Sequence, residues 1–149
     1  MAHVSRRQRL LLILMVLTAA FIWGNSLLPA SVSGAISARF AGLLSRALGL
    51  ELTTSAGHGV LRKLAHGTEF LALGLEAAAL LRLEWEKPWS LVALLGLGTC
   101  FLDETIQLFV AGRDGKLPDM WIDLGGFLAG VLICLLIRRL IRKRKPSGT

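Results

Sequence analysis

PDMWIDLGGFLAGVLICLLIRRLI, residues 118–141, is the stretch whose reading decides the fold. It is long enough to cross a hydrocarbon core, which needs roughly 20 residues at about 1.5 Å each. Yet it opens on two acids, Asp119 and Asp123, one helical turn apart. An ionisable group inside such a stretch costs about 2.5–3.5 kcal/mol on insertion scales, which makes it a functional candidate. Working outward, Leu10–Leu28, Val60–Leu81 and Trp89–Val110 have the same length and apolar character. The fold class this predicts is all-α: a polytopic membrane protein with four transmembrane helices over about residues 10–28, 60–81, 89–110 and 118–141.

Composition agrees. The 149 residues are 54% apolar, with four Trp and no Tyr, and the mean hydropathy is positive. That is too apolar for an ordinary soluble domain and too short for more than one membrane bundle, so residues 1–149 read as a single domain. No internal repeat is visible. The net charge of +7 raises a nucleic-acid reading, which fails because the basic residues form no patch interleaved with aromatics. Instead Arg6, Arg7 and Arg9, then Arg82 and Lys87, then Arg138 to Lys145 fall on one side of a four-crossing chain. Lys/Arg bias orients membrane helices, so both termini are expected in the cytoplasm. The basic tail, residues 142–149, is expected to rest on anionic lipid headgroups at about 1 kcal/mol per charge.

Cys100 and Cys134 lie in apolar stretches without metal spacing and read as small buried hydrophobes. The arginines before Leu10 also suit a secretory signal. Continuation of the apolar run through Leu27 and Leu28, with Trp23 as an interfacial anchor, favours a retained first helix.

The long connection from Pro29 to Gly59 carries Ile36, Phe40, Leu43, Leu44 and Ala47 at helical spacing. A short amphipathic helix is expected there, lying in the headgroup plane or packed as a lid over the bundle mouth. Thr53 to Gly59 reads as a turn, as does the segment from Arg82 to Pro88. In the second crossing Arg62, Lys63, His66, Glu69 and Glu76 share one helix face. Asp103 and Gln107 share a face of the third, with Glu104 beside them. In the fourth, Gly126 and Gly130 have the spacing that allows close helix approach. Because the helices alternate in direction, His66 and Glu69 lie roughly 9–14 Å below the outer end of their helix, Asp103 to Gln107 roughly 5–11 Å, and Asp119 and Asp123 roughly 2–8 Å. These segments overlap in depth. Glu76 lies some 10 Å deeper than Glu69 and pairs with Arg82 or with nothing.

The segments Lys63-Leu-Ala-His66-Gly-Thr-Glu69-Phe70, Asp103-Glu104-Thr-Ile-Gln107, Arg113, and Asp119-x-x-x-Asp123-x-x-Gly126-x-x-x-Gly130 resemble the VanZ-like family of small bacterial membrane proteins. Asn25-Ser26-Leu-Leu-Pro29 is similar to that family's Ser-x-x-Pro ending of the first helix. The resemblance runs from about residue 10 to 135. Two positions depart from the pattern: Arg62 stands where the family usually has an acid, and Asp123 where it usually has Asn. The family is named for teicoplanin resistance linked to the cell envelope, so the resemblance implies an envelope role and supports architecture more than biochemistry.

Three functional readings remain open. In the first, Lys63, Arg113 and Arg62 take the phosphate or carboxylate of a lipid-linked envelope precursor or a glycopeptide, while Gln107, Asp119 and Asp123 help bind it. In the second, an intramembrane hydrolase or transferase uses His66 as general base, Glu69 or Asp103 to orient it, and Glu104 as proton donor. A metal variant of that reading draws N/O ligands for Zn, Mn or Mg from His66, Glu69, Asp103, Glu104 and Asp119. Neither a cofactor nor a resident metal is identified by a specific motif, and GxSxG, HExxH and P-loop patterns are missing. In the third, the polar layer only holds helices together, at about 0.6 kcal/mol per contact on average. A transporter is disfavoured by four helices without repeats, although a homo-oligomer would supply a missing half.

Overall fold

The computed structural model describes residues 5–49, 55–81, 89–113 and 115–144. Among these it is entirely helical, with α1 (Arg6–Ser26), α2 (Ala30–Leu48), α3 (Ser55–Leu80), α4 (Ser90–Leu108) and α5 (Leu117–Arg144) in chain order. α1 starts on a capping box, the Ser5 hydroxyl accepting from the Gln8 N–H while Gln8 Oε1 accepts from the Ser5 N–H. Its arginines belong to the helix, which ends just before Pro29. Proline has no N–H to continue a ladder, so it opens α2 instead. α2 stops at Gly49, whose left-handed backbone (φ 68°) suits glycine alone at no steric cost.

α3 begins at Ser55, so the turn read over Thr53–Gly59 is helix from Ser55 onward. Thr53 and Thr54, the turn from Arg82 to Pro88 and the tail beyond Arg144 lie outside the described residues.

Three helices, α1, α4 and α5, are long and apolar enough to cross a membrane. α3 is long enough, but Arg62, Lys63, Glu69 and Glu76 remove it from that set. Its position explains how it tolerates them. α3 packs on all four other helices, most extensively on α5, so Glu69 and Glu76 are partly buried against protein, while Arg62 and Lys63 stay exposed near its start. The outer faces of α1, α4 and α5 carry Leu10, Leu17, Phe21, Leu94, Phe101 and Leu140, all exposed, as a lipid-facing belt requires.

The α3–α5 seam is built on glycine. A methyl group at Gly126 would fall on the carbonyl oxygen of Gly67, at Gly130 on that of Leu71, and at Gly74 on that of Phe127. The expected close approach is therefore observed, and the backbones meet with no side chain between them. Phe70, Leu73, Ala77, Phe127, Val131 and Leu135 fill the core around this seam. Cys100 and Cys134 are free and buried, as expected.

The helix in the first connection exists and is longer than the apolar spacing alone suggested. Ala41 is its buried contact, whereas Ile36, Phe40 and Leu43 stay exposed. At the opposite end of the bundle, Arg7, Arg138 and Arg142 gather around the end of α3, and Arg138 donates to the Ala79 carbonyl at 3.1 Å. The basic ends thus share one side, away from the acids of α4 and α5.

Candidate functional site

α3 brings Lys63, His66 and Glu69 to the end of the bundle remote from the basic termini. α4 brings Asp103, Glu104 and Gln107 there, α5 brings Asp119 and Asp123, and the α4–α5 loop brings Arg113. Asp103 is fully buried and Asp123 is 2% exposed, and Glu104 and Arg113 are buried as well. All nine residues singled out from the sequence gather in this region.

Their contacts divide them. Lys63 Nζ pairs with Asp119 Oδ1 at 2.9 Å near the surface. Gln107 Nε2 donates to Asp103 Oδ2 at 2.9 Å, the one-turn relation read from the sequence, and reaches Glu104 Oε1 at 3.5 Å. Glu104 Oε2 accepts from the Lys116 backbone N–H at 2.7 Å, which places a carboxylate at the start of α5. Asn25 Nδ2 donates to Glu69 Oε1 at 3.0 Å, tying the end of α1 to α3.

Arg113 grips the same end of α1. Its Nε donates to the Leu28 carbonyl and its Nη2 to the Asn25 carbonyl, both at 2.9 Å. Burial, and then the charge of Arg62, pull its pKa below the ordinary arginine value, but an arginine stays charged at neutral pH. The loop is also held by Ala30 N–H donating to the Ala111 carbonyl.

His66 lies at the centre. Its Nδ1 is 3.9 Å from Glu69 Oε2 and 4.0 Å from Asp103 Oδ2, beyond hydrogen-bond reach of either. His66 Nδ1, Glu69 Oε2, Asp103 Oδ1 and Arg113 Nη1 are all buried without a hydrogen-bond partner. Buried polar atoms in native structures are nearly always satisfied, so four orphans in one place single out this cluster as the candidate site. Glu76 lies apart and has its own partner, Thr18, whose hydroxyl donates to Oε1 at 3.0 Å. Arg82, its expected partner, is outside the described residues.

Two cavities open from this cluster. The smaller, about 20 Å³, is bordered by Lys63, His66, Glu104, Gln107, Asp119 and Asp123, room for about one water. The larger, about 290 Å³, lies between α1, α2 and α3. Phe21, Leu28, Ile36, Phe40 and Leu61 form its apolar wall, and Asn25, Arg62, His66, Glu69 and Arg113 its polar floor. His66 borders both.

A metal-compatible set is also present, though not the set read from the sequence. One ligand atom each from His66, Asp103 and Asp123 lies within 4.8 Å of the other two. Asp119 is instead held by Lys63, and Glu104 by the Lys116 N–H. Asn25 and Thr18 escaped the sequence reading as partners of Glu69 and Glu76. The polar pair Asn25-Ser26 ending an apolar stretch was the available signal for the first, and an isolated threonine offers none.

Comparison with curated proteins and with solved structures finds no significant match. A family model described as VanZ/LLP1 matches residues 9–138, spanning all five helices and every residue of the site. This match covers most of the chain, including the glycine seam, the Asp103–Gln107 segment and Arg113. The chain is a membrane-type helical bundle that belongs to the VanZ/LLP1 family.

Proposed function

We propose that the protein crosses the bacterial plasma membrane four times, with both termini in the cytoplasm, and binds the headgroup of a lipid-linked envelope molecule at its outer face. The observation that carries this reading is the 290 Å³ cleft, whose volume approaches the lower end of ligand pockets at about 300 Å³. Its apolar wall suits a lipid chain or the acyl tail of a lipoglycopeptide. Its floor offers the cations of Arg62 and Arg113 to a phosphate or carboxylate, and Asn25, His66 and Glu69 to sugar or amide groups. Phe21 and Phe40, both well exposed, stand at the rim where such a chain would enter from the bilayer. Family membership extends the reading to teicoplanin-type glycopeptide resistance, since a protein that holds envelope precursors changes their availability to the drug.

The test is retention of envelope lipids by the purified protein in nanodiscs, read by native mass spectrometry. Arg62→Ala and Phe40→Trp, the first removing a floor charge and the second filling the wall, are expected to lower retention about tenfold. Retention equal to wild type in both variants would refute the reading. Glycopeptide susceptibility of cells carrying the same variants, at equal membrane abundance, tests the extension to resistance.

A second reading, general acid–base hydrolysis or group transfer on the same molecule, draws on the free Nδ1 of His66 beside two carboxylates. Release of a cleaved headgroup by wild type but not by His66→Ala would distinguish it from binding alone.

A further inference from the structure

We infer that His66, Asp103 and Asp123 form a binding site for one divalent cation of the Zn²⁺ or Mn²⁺ class. The three residues come from three helices, α3, α4 and α5, and place one donor atom each within 4.8 Å of the others. An imidazole with two carboxylates is a mixed N/O set of the kind these cations accept. Donors about 2.0–2.2 Å from a tetrahedral ion stand about 3.3–3.6 Å apart, so His66 Nδ1 and Asp103 Oδ2, at 4.0 Å, need draw together by only about half an ångström to share one. The pair sits too far apart for a hydrogen bond and close enough to share an ion.

Three further observations point to a ligand. Asp103 is fully buried, and its Oδ1 has no hydrogen-bond partner. Gln107 donates at 2.9 Å to Oδ2, the same oxygen that stands 4.0 Å from His66 Nδ1, and so orients the carboxylate as an outer partner orients a metal ligand. Among the described residues neither Asp103 nor Asp123 forms an ion pair with a lysine or arginine. Lys63 is paired with Asp119, and Arg113 is bound to two carbonyls. Two carboxylates this close and this buried repel one another strongly unless one keeps its proton or a positive charge joins them. A divalent cation balances both. Finally, His66 and Asp123 border the water-sized cavity, which leaves the ion room for a water or a headgroup oxygen.

The site is tested on full-length protein in detergent, stripped with EDTA and titrated separately with Zn²⁺, Mn²⁺ and Mg²⁺. Metal content is read by mass spectrometry and stability by thermal melting. We expect about one equivalent of Zn²⁺ or Mn²⁺ bound with a raised Tm, and affinity weakened about tenfold or more in Asp103→Asn and in Asp123→Asn. Less than about half an equivalent bound to wild type, or wild-type affinity retained in both aspartate variants, overturns the inference. Should the aspartate variants fail to fold, Co²⁺ loaded into wild type decides: a ligand-field spectrum of a nitrogen–carboxylate site supports it, and the spectrum of aqueous Co²⁺ overturns it. The readout is bound metal alone, so its failure leaves the headgroup reading standing, and the reverse also holds.

Discussion

Arg113 donates through Nε to the carbonyl of Leu28 at 2.9 Å, bringing the loop after α4 back over the end of α1. A second bond from Nη2 to the Asn25 carbonyl, which otherwise accepts only in the closing turn of α1, completes the grip on carbonyls at the helix end. A charged donor to a carbonyl contributes about 1.5–3 kcal/mol. Arg113→Ala is therefore expected to destabilise the bundle by about 2–4 kcal/mol, and Arg113→Lys to recover less than half of that, because an ammonium cannot span both acceptors in one plane. Thermal or denaturant unfolding in detergent checks this, and a lysine variant as stable as wild type would refute the two-carbonyl clamp.

The seam between α3 and α5 makes a paired prediction. Gly126→Ala drives a methyl group onto the Gly67 carbonyl and is expected to cost about 1–3 kcal/mol, as overpacked cores do. Gly125→Ala, one residue earlier, meets nothing within 4 Å and is expected to be neutral or to stabilise by about 0.5–1 kcal/mol through helix propensity. Equal melting temperatures for the two variants would count against the packing described.

Thr18 and Glu76 offer a double-mutant cycle. Thr18→Val leaves the Glu76 carboxyl without its 3.0 Å donor and is expected to cost about 1–2 kcal/mol. Adding Glu76→Leu removes the stranded carboxyl, so the double variant is expected to be no less stable than Thr18→Val alone and to approach wild type. Strict additivity of the two single effects would show that the residues do not interact.

Exposed positions test orientation. With both native cysteines replaced by alanine, Ala111→Cys is expected to react with an impermeant maleimide on intact cells. Ser5→Cys and Arg139→Cys are expected to react only after permeabilisation, because the arginines gather at their end of the bundle. The opposite labelling pattern would invert the proposed topology.

Lys63 and Asp119 make a pair whose energy should be small. It lies partly in solvent, with the lysine side chain about half exposed, and exposed pairs contribute about 0–1 kcal/mol. Asp119→Asn is expected to shift stability within that range, and a loss of several kcal/mol would mean that Asp119 does more than hold Lys63.

Much of this was legible in the chain because it depends on local periodicity. Separations of three, four and seven residues put Lys63, His66 and Glu69 on one face and Asp103 beside Gln107. The Gly126–Gly130 spacing announced a close helix approach, and the runs of leucine announced the apolar belt. The charge of α3 was legible too, but not its place at the middle of the bundle, which only its neighbours supply.

Sequence alone thus determined which side chains share a helix face and how far apart along it they lie, since both follow from a fixed rise and turn per residue. Which faces meet was decided by tertiary packing. The glycine seam sets the rotation of α5 against α3, and that rotation carries Asp123 to His66 and Asp103 while Asp119 goes outward to Lys63. The end of α1 likewise delivers Asn25 to Glu69, and α2 closes the apolar wall of the cleft. Contacts between residues this distant in the chain depend on how whole helices fit together, and no short pattern of residues encodes that fit.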